Sequence, residues 1–211
     1  MSRHPHVARF RGQAFRSLLA ALGSVLGPSS VAAVLAELRD RQLPGFDAEN
    51  LRSTDWYSVS AYAEVHRAAQ SLSGRGTDLA RELGAEAMRV DARGVYQFLL
   101  RFVSPTSLMR NAERVAALYI DGPRIQVEQQ HAGDATIQIT DALGFDASVW
   151  QDFVGSISSL LTLSGAIDPM VELVSGGNVS GGDVSGGNVS GGNVSPTGPG
   201  DTFATMRARW R

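Results

Sequence analysis

The hydrophobic period of the chain first changes near residue 124, and that change restricts the fold more than any other feature. Before it, apolar residues recur at spacings of three and four, the signature of amphipathic helices. Phe15, Leu18, Leu19 and Leu22 form such a stripe within a helix predicted from Phe10 to Leu26. Gly27-Pro28 stops it, and a second helix runs from Pro28 to near Arg41. Asp55 is read as the N-cap of a helix over 56–72, with Val59, Tyr62, Ala63, His66 and Ala69 on one face. Thr77 or Asp78 caps the next helix, which turns Leu79, Leu83, Ala87 and Met88 inward. A helical stretch is expected over Val95–Val103. Ser104-Pro105 then starts a helix carrying Leu108, Ala112, Val115 and Ala116.

After residue 124 the period becomes two. "RIQVEQQ" sets Ile125 and Val127 against Gln126 and Glu128, and "ATIQITD" sets Ala135, Ile137 and Ile139 against polar neighbours. Separated by a Gly133 turn, these segments predict an antiparallel hairpin with one wet face. A helix capped by Asp146 follows, with Val149, Phe153, Ile157 and Leu160 on its stripe. Two further strands, "MVELV" and "TFATMRARWR", close the chain. Helices that precede strands argue an α+β fold: N-terminal helices packed on a small antiparallel four-stranded sheet, with one helix inserted between hairpins. Residues 1–9 are read as a polar N-terminal arm and 10–211 as a single domain.

Between the last two strands lies "VSGGNVSGGDVSGGNVSGGNVS", Val174 to Ser195, a five-residue unit that matches neither the helical nor the strand period. Twenty residues make about one coil of a solenoid, with no neighbour to stack on. Segment 174–200 is therefore expected to be a loop lengthened by duplication, at a cost of only about 0.6 kcal/mol per doubling.

Composition excludes whole classes of chemistry. The chain has no cysteine, and all 19 of its Lys+Arg residues are arginine. Thiolate catalysis, cysteine-ligated metals, a Walker A lysine and a Schiff-base lysine are ruled out. A net charge of −2 gives no basic field to hold nucleic acid. No apolar run reaches the length of a membrane span, and the interrupted apolar segment Leu18–Leu26 does not resemble a signal peptide, so a cytoplasmic location is expected. No nucleophile elbow or His-Glu-x-x-His motif occurs, and the chain is expected not to be an enzyme. His66 stands out, because it shares an apolar helix face. Two readings are open for it: an axial heme ligand, or a core histidine bonded to a neighbour such as Tyr62. His131 is expected to be solvated in a turn, and His4 and His6 to lie in the arm.

The segment from "DWYSVSAYAEVHRAAQ" to "YIDGPRIQVEQ", with "GFDASVWQDFVGSISSLLTLSGA" and the terminal "RWR", resembles a paralogous family of uncharacterised myxobacterial proteins over 10–211 apart from the repeat. The order of elements also resembles a wider superfold. It includes four-vinyl-reductase-type domains, heme-nitric-oxide-binding domains and acyl-chain-binding transport-particle subunits. That resemblance implies a sandwich able to enclose an apolar ligand. The Tyr-x-Ser-x-Arg motif that holds heme propionates is absent, and so are the C-terminal cysteines of the reductase type. What the resemblance then implies is a non-covalent apolar pocket lined by Trp56, Tyr62 and His66. The expected function is a binding, sensory or regulatory module for a small apolar molecule. Two alternatives stand beside it: a heme-based gas sensor using His66, and an adaptor whose partner is another protein or a second copy in a homo-oligomer. Association would use the sheet's wet face or an edge strand ending in Trp210.

Overall fold

A computed structural model describes residues 7–48, 50–93, 103–177 and 202–211. The fold is α+β, with two antiparallel sheets. The larger has the order β4-β5-β7-β6 and comprises Arg124–His131 (β4), Asp134–Thr140 (β5), Met170–Gly176 (β6) and Ala204–Arg209 (β7). Its first hairpin has the register that the alternation demands. Ile125 faces Ile139 and Val127 faces Ile137, so all four apolar side chains share one face. That face continues through Met206, which sits opposite both Ile137 and Leu173.

The last strand is not an edge. β7 pairs with β5 on one side and β6 on the other, and Ala204, Met206 and Ala208 are buried. This corrects the edge strand expected to end in Trp210. The charges of "RARWR" do not guard an open edge but pair across the sheet, Arg207 with Asp134 at 2.6 Å and Arg209 with Glu172 at 3.0 Å. β6 and β7 are antiparallel neighbours, and Val174–Gly176 of the expected loop belong to β6. Beyond Gly177 the repeat lies outside the described residues. So do His4, His6 and nearly all of the helix expected over Val95–Val103.

The smaller sheet was not expected. Arg9–Arg11 (β1) pairs with Trp56–Ser58 (β2) and with Ile120–Asp121 (β3). The polar arm therefore stops short of residue 9: Ala8 and Phe10 are buried, while Arg9 pairs outward with Asp121 at 2.5 Å. The first helix, Gly12–Leu26 (α1), begins two residues later than predicted. A side chain at Gly12 would meet the Arg52 carbonyl at 2.0 Å, so the chain turns from strand to helix where only glycine fits. Pro28–Asp40 (α2) follows as predicted. The third helix, Val59–Ser73 (α3), is capped by Ser58, whose Oγ accepts from the Ala61 amide, rather than by Asp55. Gly76 stands at the N-cap of Thr77–Ala92 (α4). Ser104 caps Pro105–Arg110 (α5), and Asn111 separates it from Ala112–Ala116 (α6), where one helix had been expected.

Ala147–Leu163 (α7) joins the two hairpins. Its Asp146 cap accepts from the Val149 amide at 3.0 Å. Asp146→Ala is expected to cost about 1 kcal/mol in urea unfolding, as loss of a cap does. α7 is covered on two sides. One side carries Phe153, Ile157 and Leu160 toward the sheet, and the other packs Val154 and Gly155 on α4. Among the described residues, no helix is long and apolar enough to cross a membrane.

Candidate functional site

Between α7 and the sheet lies a cavity of about 90 Å³. Ile125, Ile137 and Ile139 form its floor, and Phe153, Ile157 and Leu160 of α7 form one wall. Side chains of α5 and α6 close the opposite wall, and Ala87 and Met88 of α4 complete it. The site is legible as a consequence of two periodicities. The strand alternation puts isoleucine on the inner face, and the α7 stripe puts three large apolar side chains above it.

Of the three residues expected to line a pocket, Tyr62 does so. It is buried and stacks on Phe10 with ring centroids 4.1 Å apart and nearly parallel planes. His66 is fully buried one turn further along α3, but it is not on the cavity wall. Its ring meets Tyr62 edge-on at 5.3 Å, and its Nε2 lies 3.1 Å from Asp152 Oδ2. The bond to a neighbour that the core reading expects is not made: Nε2 is close to this carboxylate, but neither ring nitrogen forms a hydrogen bond. Trp56 is away from the cavity. It belongs to β2, where the Arg11 guanidinium lies over its ring at 5.2 Å.

Three polar residues on the wall were missed: Asp152, Ser156 and Ser17. Asp152 is only 3% exposed, and it is the single charged residue in α7. That isolation was the available signal, since a carboxylate at helical spacing from Val149 has no basic partner within its own helix. Its Oδ2 accepts from the Tyr62 hydroxyl at 3.3 Å, and its Oδ1 from Ser156 Oγ at 3.3 Å. Burial, followed by the charge and hydrogen bond of Asp152, pushes the Tyr62 phenol well above its ordinary value. Tyr62 is thus a fixed donor. Behind Ser17 a second carboxylate, Asp91, accepts from Gln13 at 2.6 Å, from Ser17 at 3.2 Å and from the Tyr119 hydroxyl.

Heme does not fit these residues. The cavity is smaller than the ~150 Å³ void that accommodates benzene, and far smaller than the ~300 Å³ lower bound of ordinary ligand pockets. No histidine lies on its described walls, and the Tyr62 and Tyr119 hydroxyls are committed to carboxylates. Among the described residues, no group of three histidine or acidic side chains is placed to hold a metal ion.

No protein-family model matches the chain, and no curated protein matches it. Solved structures do. An oxygen-binding H-NOX domain related to soluble guanylate cyclases superposes with a TM-score of 0.62 at 11% identity, covering 95% of this chain and 95% of that one. The Fe(II) unliganded H-NOX protein from K. algicida gives 0.62 at 13% identity, covering 95% and 96%. A Cs H-NOX variant gives 0.65 at 11%, covering 95% and 96%. At such identities the likeness is one of fold: this chain has the architecture of H-NOX domains over nearly its whole length.

Proposed function

We propose that this chain is a non-enzymatic binding module of sensory or regulatory type, which holds a small, mostly apolar molecule between α7 and the sheet without heme. The observation that carries this reading is the apolar cavity itself, lined by side chains of six helices and the inner face of the sheet. The H-NOX architecture supports it, because solved domains of that architecture include an oxygen-binding one and one that tunes heme redox potential through porphyrin distortion. The dimensions narrow the ligand. Without movement of the walls it is no larger than about benzene.

Protein association is a second reading with its own support. Ile167, Met170, Val174 and Phe203 are all about half exposed or more, and they lie on β6 or on the approaches to β6 and β7. Among the described residues, β6 is also an edge strand of the larger sheet.

Xenon tests the first reading, since it enters dry apolar cavities. In xenon-pressurised solution, methyl resonances of Ile137 and Ile139 are expected to shift in a saturable way. Ala87→Leu, which adds bulk to the cavity wall, is expected to abolish the shift. Absence of saturable shifts in the natural chain would remove the binding-module reading. A stable oligomer in native mass spectrometry, without any small molecule, would then favour association.

A further inference from the structure

β1 carries two arginines on one face, and they meet different fates. Arg9 reaches Asp121 at 2.5 Å. Arg11, two residues on, stands opposite Trp56 in the β1–β2 register, and its guanidinium lies over that ring at 5.2 Å. It is the arginine most withdrawn from solvent among the described residues. Among those residues no carboxylate or carbonyl accepts from its side chain, and its Nε is buried without an acceptor. A guanidinium keeps its charge at any ordinary pH, so burial of the inner edge removes hydration without removing the charge. Stacking on Trp56 holds the plane of the fork while satisfying none of its donors.

Arg11 borders a groove of about 580 Å³ between the start of α1 and the end of α4. That volume lies within the roughly 300–1,000 Å³ of small-molecule sites. Ser53 and Thr54, ahead of β2, bring two hydroxyls to it. Asp91 also faces it, already bonded to Gln13, Ser17 and Tyr119. Arg93 is at the groove too, but its charge goes to Glu86 at 3.2 Å. Val90 and Leu118 supply apolar surface, and Leu118 is 52% exposed.

We propose that this groove is a second binding site, for a small organic monocarboxylate: the Arg11 fork takes the carboxylate, Ser53 and Thr54 add hydroxyl donors, and the apolar body lies against Val90 and Leu118. Charge sets the class of ligand. A carboxylate matches two parallel guanidinium N–H bonds. A phosphate dianion would match them as well, but it would bring a second negative charge into a groove that already holds Asp91. One unpaired arginine balances one charge. The exposed Leu118 in turn favours a carboxylate with an apolar body over a bare ion such as acetate. The site does not depend on the cavity between α7 and the sheet, and each reading stands without the other.

Hexanoate, its neutral analogue hexanamide and inorganic phosphate test this on the full chain at low ionic strength, followed by the Arg11 Nε–H and Trp56 indole resonances. Hexanoate is expected to bind saturably and at least about ten-fold more tightly than hexanamide or phosphate, as charge-assisted hydrogen bonds imply. Arg11→Gln is expected to weaken hexanoate by at least about ten-fold, read at Trp56. Arg11→Lys, which keeps the charge and loses the fork, is expected to weaken it by less. Leu118→Ala, at an exposed position, is expected to weaken hexanoate severalfold and leave acetate unchanged. Should Arg11→Gln not fold, Arg11→Lys and Leu118→Ala carry the test. No saturable binding of hexanoate, equal binding of hexanamide, tighter binding of phosphate, or unchanged hexanoate affinity in the folded variants would each overturn the proposal. Shifts confined to the methyls of Ile137 and Ile139 would overturn it too, because they place the probe in the cavity, with which the groove shares Ser17 and Tyr119.

Discussion

Gly155→Ala is expected to destabilise the fold by about 3 kcal/mol or more, read from the midpoint of urea unfolding. The sign is the informative part, because the same change inside an exposed helix stabilises by about 1 kcal/mol. Gly155 is in the middle of α7, where it faces α4. A Cβ there would stand 1.9 Å from the Arg81 carbonyl oxygen and 3.0 Å from the Ala85 amide nitrogen. These are backbone atoms and cannot rotate aside. On the facing helix, a Cβ at Gly84 would stand 2.2 Å from the Asp152 carbonyl oxygen. The two helices thus cross with their backbones in contact, and two glycines make the approach possible. Gly84→Ala should behave alike. The double variant should cost less than the sum, since a single separation of the helices relieves both clashes. Equal stability of all four proteins would show that the crossing is not tight. The crossing also bears on the site. Asp152 lies at it, and Ser156 bonds across it to the Gly84 carbonyl.

Much of this architecture is written locally. The caps at Ser104 and Asp146 follow from side chains that can accept an amide bond ahead of an apolar stripe. The β4–β5 register follows from the alternation of Ile125, Val127, Ile137 and Ile139. Other parts are not local. β1, β2 and β3 contain three, three and two residues, too few to display a period. By spacing alone, Trp56–Ser58 therefore reads as the start of the helix that follows, and pairing with β1 takes Trp56 out of that helix. Strand order is likewise absent from sequence spacing. The insertion of β7 between β5 and β6 is decided by long-range pairing, which turned an expected edge into an interior strand.

Tyr62 and His66 show where the boundary falls within the site. Helical spacing placed both inward, and both are buried. Spacing alone does not say which inward surface each one meets. Tyr62 reaches the cavity, whereas His66 meets α7 at Asp152. Asp152 was hidden for the complementary reason. A single acidic residue in a helix is ordinarily solvent-facing, and only the packing of α7 on both of its sides buries this one.

His66→Ala is accordingly expected to cost about 3 kcal/mol in the unliganded protein, and titration of the natural chain with hemin is expected to give no Soret band. The loss has two sources. The imidazole is completely buried and packs edge-on against Tyr62, so its removal leaves a void among fixed neighbours. It also strips Asp152 of its nearest nitrogen and leaves that carboxylate with two hydroxyls at 3.3 Å. His66→Phe separates the two, since it restores bulk without a nitrogen; it should recover part of the loss. A histidine that served as a heme ligand would behave in the opposite way. Its ring would face the cavity, so its removal would cost the unliganded protein little and abolish a Soret band present in the natural chain. The two roles place the imidazole on different surfaces of α3, and the 3.1 Å approach to Asp152 puts it on the surface that packs against α7.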